Sequence, residues 1–380
     1  MSPTDSLAAL RTIQDALCDL LAPLAERDLR SQFHPDLSPL GWHLGHCVFT
    51  EALWLSRARA VPAPAAALRS LYTPALSPKP ARGGRLPTKP TLLTWARRQQ
   101  ARHREALAAL PTAALTRYRL ADLPLFLAQH HAQHLETMRM ALAQRTARQA
   151  MPPAGATLEA LPPRQDAVLL PAGQYRLGST AAAAYDNEQP PRAVRLQAAR
   201  LARRAVSNAE FLGFMEDGGY RRRELWSEAG WRWRSRLHAL RPEYWRQAPN
   251  GGWLLLRPDG CQPLPGDEPL LGISRYEAEA FANWAGARLV HEYEWEAAAG
   301  LGLLEDAGMV WEWCGNRFHP YPGFRAFPYA GYSLPWFDGR HYVLRGGSSQ
   351  TVPWLKRTSF RNFYPAHQRH LFAGLRLALP

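Results

Sequence analysis

Two histidines four residues apart, His130 and His134 in Gln129-His130-His131-Ala132-Gln133-His134-Leu135-Glu136, are the residues of this chain best placed to do chemistry. In a helix that spacing puts both imidazoles on one face. The same face carries Phe126 one turn earlier and Met138 one turn later, so the stripe is expected to look into a protein interior. Imidazoles in an apolar stripe need partners. Either a metal ion takes the pair, or they are core histidines satisfied by hydrogen bonds, and the spacing alone leaves both readings open. A second cluster, His43 and His46, lies far upstream in Ser38-Pro39-Leu40-Gly41-Trp42-His43-Leu44-Gly45-His46-Cys47. His131 points about 100° away from His130 around the helix and reads as a bundle or surface residue.

The elements that must position these residues are helical. Residues 6 to about 28 carry leucine and alanine at helical spacing. A second helix opens at Ser38, placed as a cap ahead of Pro39 in the first turn, and runs past Trp54. From Pro62 to Pro90 the chain is rich in proline, glycine and basic residues, which suits an ordered surface loop. Helical spacing resumes over about 91–109 and 113–146. Four helices with one long crossover make a bundle, and bundles build metal sites from facing helices. The expected division is a helical domain over 1–148, an alanine- and proline-rich linker over 149–165, and a second domain over 166–380. The second domain has short β-like runs, such as 167–170 and 342–345, between turns rich in Gly, Asn, Asp and Trp. Helices are expected there at 207–216 and 274–285, starting from Ser207 and Ser274. The fold class is thus α+β.

Composition narrows the function classes. No apolar run in the 380 residues is long enough to span a bilayer, and the N-terminus has no basic start followed by an apolar stretch, so a cytoplasmic protein is expected with no membrane partner. The net charge of +14 comes from arginines spread along the whole length without a dense basic run, which argues against a nucleic-acid partner. The four cysteines lack C-x-x-C spacing and indicate neither a disulfide framework nor a thiolate zinc site.

Together with the two histidine strings, seven further strings make a pattern of nine: Ser38-Pro39-x-x-Trp42-His43-Leu44-Gly45-His46, His130-x-x-x-His134-x-Glu136, Tyr185-Asp186-Asn187-Glu188, Val206-Ser207-Asn208-Ala209-Glu210-Phe211, Glu216-Asp217-Gly218-Gly219-Tyr220, Trp284-Ala285-Gly286-Ala287-Arg288-Leu289, Val310-Trp311-Glu312-Trp313, Leu344-Arg345-Gly346-Gly347-Ser348 and Phe360-Arg361-Asn362. In this order they resemble the ergothioneine sulfoxide synthases and the related selenoneine synthases. The resemblance implies a DinB-like four-helix bundle fused to a domain of the formylglycine-generating-enzyme fold, which is related to C-type lectins. It also implies a non-haem Fe(II) held by His46, His130 and His134, with O2 as co-substrate and His43 as the competitor for the first place. Three neutral imidazoles suit such an ion and leave three octahedral positions for substrates.

In that family the acceptor is Nα-trimethylated histidine (hercynine), and a thiol donor is joined to its imidazole C2 as a sulfoxide. Gln133 and Asn362 match positions at the hercynine end. The loop Phe327-Pro328-Tyr329-Ala330-Gly331-Tyr332-Ser333 matches the one that supplies a catalytic tyrosine, with Tyr329 the first choice and Tyr332 the second. Arg82 and Arg85 match donor-binding arginines. After Asn362 the chain departs from members that use γ-glutamylcysteine, which carry Trp-Asp followed by an arginine; here stand Phe363-Tyr364 and then His367-Gln368. A donor other than γ-glutamylcysteine is therefore expected: cysteine, another thiol or a selenosugar. Two readings of other classes stay open, a zinc-dependent DinB-type thiol transferase and a non-catalytic lectin-like ligand-binding protein. The copper-binding cysteine pair of formylglycine-generating enzymes is not recognisable. Oligomeric state is not legible.

Overall fold

A computed structural model of the chain describes residues 3–111, 114, 119–120 and 122–380. The chain falls into two compact units, Met1–Arg145 and Thr146–Pro380. Among the described residues no helix is long and apolar enough to cross a membrane.

The first unit is built on four long helices, α1 (Pro3–Leu21), α3 (Leu40–Arg57), α6 (Lys89–Ala108) and α7 (Leu123–Thr146), with short helices α2 (Glu26–Arg30), α4 (Ala66–Tyr72) and α5 (Lys79–Arg82) between them. Helix α3 is buried from Leu40 to Glu51 without a break, so it is the central element rather than an amphipathic surface helix. Glycines permit its close packing: a methyl group on Gly45 would overlap the ring of Tyr72. Asp122 caps α7, accepting from the Leu125 N–H at 2.8 Å and from the Ser6 hydroxyl at 2.6 Å, with Pro124 in the first turn.

Several expectations need correction here. Helix α7 begins at Leu123 rather than near 113, because Asp122 and Pro124 define its start; 112–113, 115–118 and 121 lie outside the described residues. Ser38 does not cap α3. The N-cap is Pro39, and the Ser38 hydroxyl is taken by the Arg82 guanidinium. The 62–90 stretch is not loop throughout: Leu71 and Tyr72 of α4 bury themselves in a cluster with Trp42, Phe49 and Leu86, and this apolar burial overrides the local proline content.

The second unit carries β1 (Ala167–Leu170), β2 (Gly173–Leu177), β3 (Arg192–Leu196), β4 (Ala199–Ala202), α8 (Asn208–Glu216), α9 (Glu228–Leu237), β5 (Trp245–Gln247), β6 (Trp253–Arg257), β7 (Gly260–Pro263), α10 (Arg275–Trp284), β8 (Arg288–Leu289), α11 (Glu292–Gly300), β9 (Trp311–Arg317), β10 (His341–Arg345), β11 (Asn362–Pro365), β12 (Ala373–Gly374) and β13 (Leu377–Leu379). Two four-stranded sheets run β1-β4-β13-β8 and β11-β10-β9-β12. Ser207 and Ser274 open α8 and α10 as capping boxes with Glu210 and Glu277, as their sequences indicate. Residues 149–165 pack within this unit, where Ala156 bridges Trp253 and the Leu161 N–H donates to Ala209.

Buried ion pairs organise the interior of the second unit. Glu292 accepts from Arg361 at 2.8 and 2.9 Å and from Arg345 at 2.9 Å. Arg345 also reaches Glu296 at 2.8 Å. Arg361 donates onward to the carbonyls of Asn187 and His319. This lattice fixes the chain immediately before Asn362.

Candidate metal centre

Helices α3 and α7 bring His46, His130 and His134 together, with one ligand atom from each lying within 4.8 Å of the others. Ring centroids are 4.5 Å apart for His130 and His134, 4.8 Å for His46 and His134, and 5.2 Å for His46 and His130. Burial, reinforced by neighbouring cationic groups and imidazoles, lowers all three basicities: His46 falls to about 4, and His130 and His134 fall well below the ordinary histidine range. Neutral rings are the form that ligates a metal.

The outer ring nitrogens are occupied. His46 donates Nδ1–H to the Tyr72 carbonyl at 2.7 Å, and Trp42 donates Nε1–H to the Leu71 carbonyl at 2.8 Å. Both carbonyls belong to the last turn of α4, where a helix leaves its C=O groups unsatisfied. Trp42 also stacks on His46, with centroids 4.8 Å apart and planes 9° from parallel. The Nδ1 of His134 lies 2.9 Å from Nδ1 of His43, so His43 partners one member of the histidine group rather than joining it. The Nδ1 of His130 lies 3.1 Å from Nδ1 of His131. With all three Nδ1 atoms engaged, each ring has its Nε2 left to offer.

His131 is not a surface residue. It is fully buried, and its Nε2 lies 2.7 Å from the carboxylate of Glu51. His103 reaches the other oxygen of Glu51 at 2.7 Å, and Gln14 donates to the first at 2.8 Å. Burial alone would raise the Glu51 carboxyl, but the hydrogen bonds from His103 and His131 outweigh it and hold it at about 2. Sequence reasoning passed over Glu51. The available signal was a lone carboxylate inside the apolar run Cys47-Val48-Phe49-Thr50-Glu51-Ala52-Leu53-Trp54-Leu55, which only a buried partner explains. Cys47 stands near His130 and His131, yet burial raises its thiol well above the ordinary range and keeps it protonated.

The remaining sequence-selected residues have these places. Gln133 is half-buried on α7, with its amide 3.4 Å from the Gln129 carbonyl. Arg82 is buried; it donates to the Ser77 carbonyl at 2.8 Å and to Ser38, and lies 3.7 Å over the ring of Trp42. Arg85 is exposed and donates to the Ser70 hydroxyl at 2.8 Å.

In the second unit, Asn362 and Phe363 lie on β11, paired with Leu344 and Val343 of β10. The Phe363 ring stacks on Phe318 at 4.2 Å. Tyr329 is 39% exposed. Tyr332 stacks on Tyr185 at 4.3 Å, and burial raises its phenol well above the ordinary range. Ser333 anchors this loop, donating to Asp186 at 2.5 Å and accepting from Asn187 at 3.0 Å.

Comparison with known proteins agrees with this two-part build. Residues 9–138 match the DinB superfamily, and residues 156–306 and 300–380 match the sulfatase-modifying factor enzyme 1-like domain. The hercynine oxygenase of Mycobacterium tuberculosis is 34% identical, covering 94% of this chain and 95% of that protein. The hercynine oxygenase of Mycolicibacterium thermoresistibile is 33% identical, covering 94% of this chain and 91% of its own length. The formylglycine-generating enzyme of Thermomonospora curvata is 34% identical, over 40% of this chain and 53% of its own. With both domains matched in order and a third of the residues shared along 94% of its length, the chain belongs to the hercynine oxygenase family of ergothioneine sulfoxide synthases.

Proposed function

We propose that the chain is a non-haem Fe(II) oxidoreductase that uses O2 to join imidazole C2 of hercynine to the sulfur, or selenium, of a donor other than γ-glutamylcysteine. The observation that carries this reading is the donor set: three neutral imidazoles whose Nδ1 atoms are all occupied by Tyr72, His131 and His43. Such a set fits a divalent first-row ion and contributes no negative charge of its own. Fe(II), when bound, makes thiolate formation and O2 reduction accessible near neutral pH.

With a thiol donor the balance is closed. The C2–H and S–H bonds are lost, C–S and S–O bonds form, and O2 accepts four electrons, ending as the sulfoxide oxygen and one water. This chain's residues supply binding, orientation and protons. Gln133 and Asn362 each carry an amide oxygen, the kind of dipole that suits a trimethylammonium group, which has no hydrogen to donate. Holding acceptor and donor in one complex replaces a collision of separate molecules. The phenol of Tyr329 is the proton donor that this reaction would draw on, with Tyr332 as its alternative. Tyr332 is already committed to packing on Tyr185, whereas Tyr329 keeps an exposed ring.

For the donor, Arg85 is the cationic candidate of the first unit, and Phe363 is a ring candidate of the second. Arg82 has a supporting role instead, since its guanidinium is taken up by Ser77, Ser38 and Trp42. The Phe363 ring favours a neutral polyhydroxylated donor over a zwitterionic one; Tyr364, its neighbour on β11, points to the other face of the sheet. The test is iron content after anaerobic loading. Wild-type protein should retain about one Fe(II) per chain, and His134→Ala should not; full iron in His134→Ala would defeat the assignment.

A further inference from the structure

We infer that His131 and Glu51 form a relay that sets the tautomer of His130 and connects a buried negative charge to the metal centre. This rests on the reading that His46, His130 and His134 hold the metal. It adds two positioning residues outside that ligand set.

The polarity of the relay can be traced from an unambiguous donor. Arg104 donates to the side-chain oxygen of Gln14 at 2.5 Å, which turns the Gln14 amide nitrogen toward Glu51 at 2.8 Å. Glu51 therefore accepts at Oε1 from Gln14. An ionised carboxylate has only lone pairs, so the His131 nitrogen 2.7 Å from Oε1 and the His103 nitrogen 2.7 Å from Oε2 must both be N–H donors. A neutral His131 with its proton on Nε2 presents a lone pair at Nδ1. That lone pair faces Nδ1 of His130 at 3.1 Å, which must then carry the proton. The Nε2 of His130 is left unprotonated and ready to ligate. Reversing the polarity at any step would put the proton on the ligating nitrogen.

The three outer partners differ in kind. His46 is held by a backbone carbonyl and His134 by a second imidazole, but only the His130 branch leads to a carboxylate. A ligand hydrogen-bonded toward a carboxylate is a stronger electron donor, and losing such a partner typically weakens metal binding by about tenfold to a hundredfold. Glu51 is fully buried with three donors upon it, so its position is fixed by the fold before any ion arrives.

The test uses the full-length apoprotein and Co(II) alone, with anaerobic chelator competition to measure affinity and 15N NMR of the histidine rings to read tautomers. Wild-type apoprotein should show His130 protonated on Nδ1. His131→Phe, which removes the acceptor, should lose that tautomer preference and bind Co(II) about tenfold to a hundredfold more weakly. His131→Gln, which keeps an acceptor, should recover much of the loss, and Glu51→Gln should resemble His131→Phe. A folded His131→Phe with unchanged affinity and unchanged His130 tautomer would overturn the relay, as would a His131→Gln no better than His131→Phe. Should the variants not fold, wild-type protein decides alone: His130 protonated on Nε2 contradicts the relay. Should wild-type protein not bind Co(II), the ligand set fails, while the tautomer measurement still judges the relay.

Discussion

His46 donates its Nδ1–H to the carbonyl of Tyr72 over 2.7 Å, and the ring of Tyr72 rests where a side chain on Gly45 would have to go. One glycine therefore lets α4 approach α3 closely enough to orient the His46 ring. Gly45→Ala should lower stability by about 1–3 kcal/mol through overpacking and should weaken metal binding by displacing the carbonyl. Gly300→Ala, at the end of α11 with open space around it, is the control and should leave metal binding unchanged without lowering stability. Urea unfolding and metal titration of both variants check this; a Gly45→Ala protein with wild-type metal affinity would separate Tyr72 from the site.

His43 and His46 share a motif but have different expected roles. His43→Ala should retain the ion with affinity reduced about tenfold, because it removes a hydrogen-bond partner of His134 and no ligand. His46→Ala should lose the ion under the same conditions. The opposite order would make His43 the ligand.

The tyrosine loop makes a kinetic prediction. Tyr329→Phe should keep hercynine binding while slowing oxygen-dependent product formation or diverting it toward simple oxidation of the thiol, read as the ratio of disulfide to hercynine-derived product. If Tyr332→Phe alone has that effect, the two phenols exchange roles. If neither does, the loop is packing against Tyr185 and Asp186.

Acid stability follows from the buried lattice of the second unit. Burial by itself raises the Glu292 carboxyl, but Arg361 and Arg345 prevail and hold it at about 2. A carboxyl whose folded value lies below its unfolded one stabilises the fold above the unfolded pKa, and that stabilisation is lost as pH falls through the folded value. Wild-type stability should thus decline on acidification from about pH 4.5 toward pH 2. Glu292→Gln should be less stable by about 3–5 kcal/mol at neutral pH, since it leaves two buried guanidinium groups short of a carboxylate. It should also show a shallower decline in that acid window. Equal slopes in wild type and Glu292→Gln would assign the acid sensitivity elsewhere.

The grouping of His130 and His134 was legible because a helix converts four-residue spacing into one face, and α7 presents both rings together. The capping boxes at Ser207 and Ser274 were legible for the same local reason. His131 and Glu51 were not, because their meaning depends on the packing of α7 against α3. Spacing says only that His131 faces away from His130. The α4 helix was hidden by prolines that flank it without entering it, and the start of α7 at Leu123 was hidden because apolar spacing runs on through the cap at Asp122. The partners of Arg82, the Ser77 carbonyl and the Trp42 face, come together only in three dimensions and were not legible in the sequence.

Whether iron on these histidines couples O2 to bond formation at C2 of hercynine is decided by the mass of the product. Anaerobically reconstituted protein should be given hercynine and O2 with γ-glutamylcysteine, cysteine, a thiosugar or a selenosugar in separate reactions. The account predicts a C2-substituted hercynine with at least one of the last three donors, little product with γ-glutamylcysteine, and none without O2 or with His134→Ala. Rapid coupling of γ-glutamylcysteine would contradict the donor assignment, and no hercynine product with any of the four would contradict the synthase reading itself.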